Sequence, residues 1–196
     1  MKSFINRFMY RLTLAFNFKN QPLMMQGYHD RNGVYLPEVK ISNTTFIQDR
    51  NRLVLEDHVF IGHYNFIESS NHILIGEGSQ VTNYISILTH SSHRSIRFYG
   101  SHYQNKGELK GYIKGAVVIG KYSFIGPHAT IMPNTKIGNG CIVAAYSYVD
   151  GDFPDFSIIG GNPAKIIGDT RQKDQEFLMN EPDLIPFYES WAGKQF

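Results

Sequence analysis

Two histidines three residues apart, His90 and His93, stand in the segment Thr89-His90-Ser91-Ser92-His93-Arg94. Imidazole is the side chain whose ordinary proton equilibrium lies near neutrality, so a positioned neutral histidine suits the removal of a proton from an attacking group. Such a base is worth about 10²–10⁴ in rate. Asn65, in Gly62-His63-Tyr64-Asn65-Phe66, and Asn83, in Val81-Thr82-Asn83-Tyr84, carry amides that could hold a ligand or support an oxyanion. Either could equally be a corner or ladder residue of a repeating fold. Arg94, Arg97, Tyr99 and Tyr103 follow the histidines and offer cations and stacking faces. The chain has eight histidines, among them His58, His63, His102 and His128. Three converging histidines can make an open zinc site, although no three-ligand set stands out by spacing. The single cysteine, Cys141, reads as a packed small residue rather than a nucleophile, and a lone thiol argues against a disulfide framework.

The elements that must position these residues are legible as a period. Ile119, Ile125, Ile131, Ile137, Val143 and Val149 fall at every sixth position, and Ser123, Ala129, Thr135, Cys141 and Ser147 precede the last five by two. A helix drifts off a six-residue period, whereas an extended chain that bends after every few residues keeps it. The pattern predicts short strands with one aliphatic side chain inward, separated by tight corners and stacked at about 4.8 Å per coil. The period continues upstream through Ile41, Ile47 and Leu53, then Leu55, Ile61, Ile67 and Ile73, then Ile75, Val81 and Ile87. It slips by two residues at polar stretches (49–52 and 69–72) that can bulge outward. The fold class expected is all-β, a parallel β-helix. Residues 91–115 lack the period and read as one long ejected loop, a kind that is often functional.

Composition fits a single domain of 196 residues with net charge +2, which gives no polyanion-binding signal and disfavours nucleic acid. No apolar run approaches the ~20 residues of a membrane span and no signal peptide is evident, so a cytoplasmic protein is expected. Residues 3–18 space Phe4, Ile5, Phe8, Met9, Leu12 and Phe16 at helical intervals among Lys2, Arg7, Arg11 and Lys19. This segment is expected to lid the first coil, with contact between residues 2–19 and an anionic membrane surface as the alternative. Residues 169–196 read as a charged helix and an aromatic tail that packs on the solenoid or on a neighbouring subunit. The divisions are therefore 1–40 for the N-terminal helix and cap, 41–168 for the β-helix with its loop, and 169–196 for the helical tail.

The stretch Val117 to Gly168, with its Ile-Gly repeats and its Gly161-Asn162-Pro163-Ala164-Lys165 ending, resembles the hexapeptide-repeat acyltransferases. With residues 73–95 it is most similar to the branch that acetylates sugars of cell-surface polysaccharides, and it also resembles the galactoside, maltose and xenobiotic acetyltransferases. The resemblance implies a left-handed β-helix, a homotrimer with active sites between subunits, acetyl-CoA as donor and no metal. It implies a catalytic histidine in the segment after Ile87-Leu88, with His93 favoured and His90 as its neighbour or replacement. Asn65 matches the acceptor-binding asparagine of the galactoside enzymes, Asn83 lies near, and Arg94, Arg97, Tyr99 and Tyr103 would face an anionic or bulky sugar. For the donor it implies Gly126 and Pro127 at the thiol end of the pantetheine groove, Ala144 and Ala145 along its arm, and Lys165 at the phosphates. Phe124 stands where several relatives have tryptophan. The expected activity is O-acetylation of a sugar hydroxyl of a polysaccharide or its precursor. An N-acetyltransferase of a nucleotide-linked amino sugar and a xenobiotic acetyltransferase are the alternatives. Beyond these stand a γ-class carbonic-anhydrase-like zinc enzyme and a non-catalytic scaffold.

Overall fold

The computed structural model describes residues 5–12, 21–105 and 107–194. Its body is a three-faced prism of parallel strands, wound as a left-handed β-helix. The first face stacks Tyr35–Ser42, Phe60–Ile61, Gln80–Val81, Phe124–Ile125, Ile142–Val143 and Ser157–Gly161. The second stacks Phe46–Gln48, Phe66–Glu68, Ser86–Leu88, Thr130–Ile131 and Tyr148–Val149. The third stacks Leu53–Leu55, Ile73–Ile75, Val117–Ile119, Lys136–Ile137 and Asp152–Phe153.

The sixfold residues form the core. Ile119, Ile125, Ile131, Val143 and Val149 are fully buried and Ile137 nearly so, because each two-residue strand turns one side chain inward and one outward. Parallel pairing holds the aliphatic residues in register, Ile87 on Ile131 and Ile131 on Val149. The small residues two positions earlier lie at the corners, where they satisfy carbonyls of the turning chain. Ser123 Oγ donates to Gly138 O at 2.9 Å, Ser147 Oγ to Ala144 O at 2.7 Å and Cys141 Sγ to Pro154 O at 3.2 Å. Burial pushes the Cys141 thiol up to about 11, which leaves it a packing residue.

The two-residue slips enlarge the early coils without breaking the register. Arg50–Arg52 forms a 3-10 turn at one slip, and His72, at φ 73, turns the other. The ejected loop leaves and rejoins through a short antiparallel pair, His90–Ser91 with Ile113–Lys114, and carries a helix, α2, at Ser95–Tyr99.

The lid differs from expectation. Residues 5–12 are helical (α1), but Ile5, Phe8, Met9 and Leu12 are each about half exposed. The antiparallel hairpin Met24–His29 with Tyr35–Ser42 closes the first coil instead, burying Tyr28 and Val39 while Arg50 stacks on the Tyr28 ring at 4.7 Å. A hairpin serves here because it extends the first face by pairing, which also covers its edge. The rest of the N-terminal expectation, including Lys2, Phe4, Phe16 and Lys19, lies outside the described residues.

At the other end the strand Ala164–Asp169 folds back antiparallel on Ser157–Gly161. Asp169 caps the helix Thr170–Leu178 (α3) by accepting from Arg171 N at 2.9 Å. Helix Ile185–Ala192 (α4) then lays Trp191 against Tyr122 and Phe156, at ring distances of 4.8 and 5.9 Å. The aromatic tail thus packs on the corner between the third and first faces.

Candidate active site

The histidine segment leaves the second face at its corner with the third, above the coil that holds Phe66–Glu68. That lower coil ends in Glu68, whose side chain is 2% exposed. Its carboxylate lies 2.8 Å from His90 Nδ1. It also accepts from Thr89 N at 3.0 Å, Thr89 Oγ1 at 2.7 Å and Ser70 N at 2.8 Å. Burial alone would raise the proton affinity of Glu68, but the donors from Ser70 and Thr89 outweigh it and pull its pKa from 4.5 down to about 2. The carboxylate is therefore an anion under all ordinary conditions.

An anion at Nδ1 fixes the imidazole as the Nδ1–H tautomer and leaves Nε2 as the ring's basic atom. Tyr112, on the returning side of the ejected loop, stacks on the His90 ring at 5.6 Å and 11°. Burial raises the Tyr112 pKa, and the negative charge of Glu68 adds to this, so its phenol stays protonated beside the imidazole. His90 remains about one-third exposed, clamped on one ring edge and one face.

His93 is placed differently. It is exposed, its Nδ1 pairs with Ser91 Oγ at 2.8 Å, and its carbonyl accepts from the Arg97 guanidinium at 2.5 Å. Arg94 and Arg97 are exposed on the ejected loop, while Tyr99 is half-buried and its hydroxyl accepts from Lys110 N at 3.0 Å. Tyr103 follows in the 3-10 stretch Gly100–Asn105 and is half-buried.

The two asparagines and the expected donor-side residues sit elsewhere, on the corner between the first and second faces. Asn65 is 2% exposed, and its amide is spent on that corner. Nδ2 donates to Gly62 O at 3.1 Å and Thr82 O at 2.8 Å, while Oδ1 accepts from Ile85 N at 2.8 Å. The ladder role describes its contacts, and no amide hydrogen is left for an acceptor. Asn83 is half-buried and accepts from His63 N at 2.7 Å.

Gly126 and Pro127, then Ala144 and Ala145, occupy the same corner on the two coils that follow Asn83. A Cβ on Gly126 would lie 2.6 Å from Val143 O and 2.8 Å from Ala145 N, so the close approach of successive coils demands glycine there. Ala145 and Pro127 are exposed, Ala144 is half-buried, and Phe124 stands 41% exposed on the adjoining first face. Lys165 is exposed on the terminal hairpin strand. Along this corner Tyr64, Tyr84, His128 and Tyr146 stack ring on ring, at 5.2, 5.0 and 4.7 Å, each with positive φ. That ladder engages His128, and among the described residues no three histidine, cysteine or carboxylate side chains gather as a metal site.

One strand of the second face thus separates the histidine corner from the glycine and alanine corner within a single chain. Sequence reasoning missed Glu68 and Tyr112. The register offered a signal for the first, because residues twenty apart stack in these coils and Glu68-Ser69-Ser70 underlies Leu88-Thr89-His90.

The family model for bacterial transferase hexapeptide (six repeats) matches residues 116–151. The putative lipopolysaccharide biosynthesis O-acetyl transferase WbbJ of Escherichia coli K12 is 32% identical over 120 residues, which cover 60% of this chain and 61% of WbbJ. The putative acetyltransferase YvoF of Bacillus subtilis is 45% identical over 67 residues, covering 34% of this chain and 38% of YvoF. The match therefore spans less than two thirds of either relative. A galactoside acetyltransferase in complex with coenzyme A superposes with a TM-score of 0.47 at 19% identity, over 65% of its chain and 67% of this one. The six-residue period and the three-faced prism built on it thus include, over residues 116–151, coils that match the bacterial transferase hexapeptide model, and the chain is similar over 60% of its length to WbbJ.

Proposed function

We propose that the protein is an acetyl-CoA-dependent O-acetyltransferase that acts on a sugar hydroxyl of a cell-surface polysaccharide or its precursor. The observation that carries this reading is the buried Glu68 carboxylate 2.8 Å from His90 Nδ1, in a loop that opens from a hexapeptide coil. The sugar class rests on the likeness to WbbJ.

In the reaction proposed, the acceptor hydroxyl oxygen attacks the thioester carbonyl carbon while His90 Nε2 takes the hydroxyl proton. The carbon–oxygen bond forms, charge gathers on the carbonyl oxygen, and His90 becomes an imidazolium held against Glu68. Collapse of the tetrahedral species breaks the carbon–sulfur bond, and the departing thiolate recovers the proton from His90. No acyl-enzyme intervenes. His90 takes the role that sequence spacing favoured for His93, because only His90 has a buried carboxylate behind it.

The donor is assigned to the corner of Gly126, Pro127, Ala144 and Ala145, with Phe124 beside it and Lys165 as a point charge for phosphate. Since this corner and the His90 corner flank one face of the same prism, a complete site is built when the histidine corner of one protomer meets the glycine and alanine corner of a neighbour. This supports a homotrimer with three shared sites. The exposed Arg94 and Arg97 fit an anionic or bulky sugar.

The test is transfer from acetyl-CoA to a panel of sugars, nucleotide sugars and glycan fragments, read by thiol release and product mass. An O-acetylated sugar, lost in His90→Ala, supports the reading. An N-acetylated product moves the assignment to amine acceptors, and a full-length protein that binds no acetyl-CoA overturns it.

A further inference from the structure

The N-terminal helix α1 has no role in the closing of the solenoid, since the hairpin Met24–His29 with Tyr35–Ser42 already buries Tyr28 and Val39 over the first coil. Its residues are nevertheless strongly sorted. Ile5, Phe8, Met9 and Leu12 fall at i, i+3, i+4 and i+7, a stripe about 100° wide, while Asn6, Arg7, Tyr10 and Arg11 take the other side. The stripe faces solvent, with Ile5 at 53%, Phe8 at 56% and Leu12 at 49% exposure.

Charge distinguishes what such a face would meet. The first 29 residues contain Lys2, Arg7, Arg11 and Lys19 and no aspartate or glutamate; the first acidic residue is Asp30. These four positive charges exceed the net charge of the whole chain, +2. A second copy of the segment would bring four more positive charges and no counter-charge, whereas an anionic phospholipid surface supplies both the counter-charge and an apolar layer. Among the described residues no helix is long and apolar enough to span a bilayer.

We propose that α1 is a peripheral membrane anchor, lying in the interface of an anionic phospholipid bilayer. Ile5, Phe8, Met9 and Leu12 enter the acyl boundary, and Arg7 and Arg11 meet lipid phosphates. The inference stands on the helix and does not depend on the reaction proposed above.

The experiment is co-sedimentation of the full chain with vesicles of phosphatidylcholine and with vesicles of equimolar phosphatidylcholine and phosphatidylglycerol. The chain is expected to sediment with the mixed vesicles and not with phosphatidylcholine alone, and high salt should release it. Each basic residue is worth about fivefold in partition, so Arg7→Glu with Arg11→Glu should weaken it at least about twentyfold. Phe8→Glu with Leu12→Glu should abolish it while thermal unfolding stays unchanged. Absence of sedimentation, or sedimentation indifferent to both pairs, overturns the anchor. A fall in oligomeric mass in the Phe8→Glu and Leu12→Glu variant without lipid binding by the parent also overturns it, by showing that the stripe packs on a second copy.

Discussion

Replacing Glu68 by glutamine removes one charge and almost no volume, so it isolates what the carboxylate does for His90. In the proposed transition state the imidazole becomes positive 2.8 Å from that carboxylate. Coulomb's law gives about 1.5 kcal/mol at this distance with the dielectric of water and about 6 kcal/mol at an effective value of 20. His90 is about one-third exposed, which screens the pair toward the lower part of that span. A loss of about 2–4 kcal/mol is expected, or about 30- to 1,000-fold in turnover. Because the positive charge exists only as the reaction proceeds, the loss belongs in kcat and not in KM. A structural cost accompanies it. Both carboxylate oxygens accept hydrogen bonds, one from Ser70 N and the other from Thr89, and an amide nitrogen cannot accept; one donor is stranded, at about 1–3 kcal/mol of stability. Steady-state kinetics of acetyl transfer, with the thermal midpoint measured alongside, separates the two effects. A folded Glu68→Gln protein with parental kcat, or with its loss confined to KM, would refute the positioning role.

The two histidines are expected to separate cleanly. His90→Ala should lose about 10²–10⁴ in kcat with acetyl-CoA binding retained, and His93→Ala less than about tenfold; the reverse order, read in the same assay, restores the assignment to His93. Glu68 also makes stability depend on acid. Its folded pKa of about 2 lies below the usual 4.5, so it contributes about 3 kcal/mol that is whole above about pH 4.5 and lost as the pH falls through about 2. Chemical unfolding across that window should show the loss in the parent and not in Glu68→Gln. Gly126→Ala should lower stability by about 1–3 kcal/mol, because the new Cβ lies 2.6 Å from Val143 O, and an unchanged denaturation midpoint would contradict that packing.

Much of the body was legible because a solenoid repeats its environment. Ile125 stacks on Val143 and Ile131 on Val149, each one coil apart in a like setting, so one period reports the core, the corners and the place where the loop at 91–115 departs. Cys141 is legible as a packing residue for the same reason, since it occupies the corner position that Ser123 and Ser147 also fill. What the period does not carry is contact between coils. Glu68 reaches His90 only because two extra residues lengthen the early coils to a twenty-residue spacing, which sets Ser70 beneath His90. Asn65 carries chemistry-capable atoms, yet its corner consumes them. The hairpin lid escaped because its pairing lies outside the repeat, and the Tyr64, Tyr84, His128 and Tyr146 ladder because it depends on left-handed corners adopted by residues other than glycine.

Whether His90, backed by buried Glu68, activates a sugar hydroxyl toward acetyl-CoA is decided by product analysis of the full chain, with His90→Ala and Glu68→Gln in parallel, incubated with acetyl-CoA and surface-glycan fragments. An O-acetylated glycan is expected from the parent, a trace from Glu68→Gln, and less from His90→Ala. Equal product from all three proteins would rule out this role for His90.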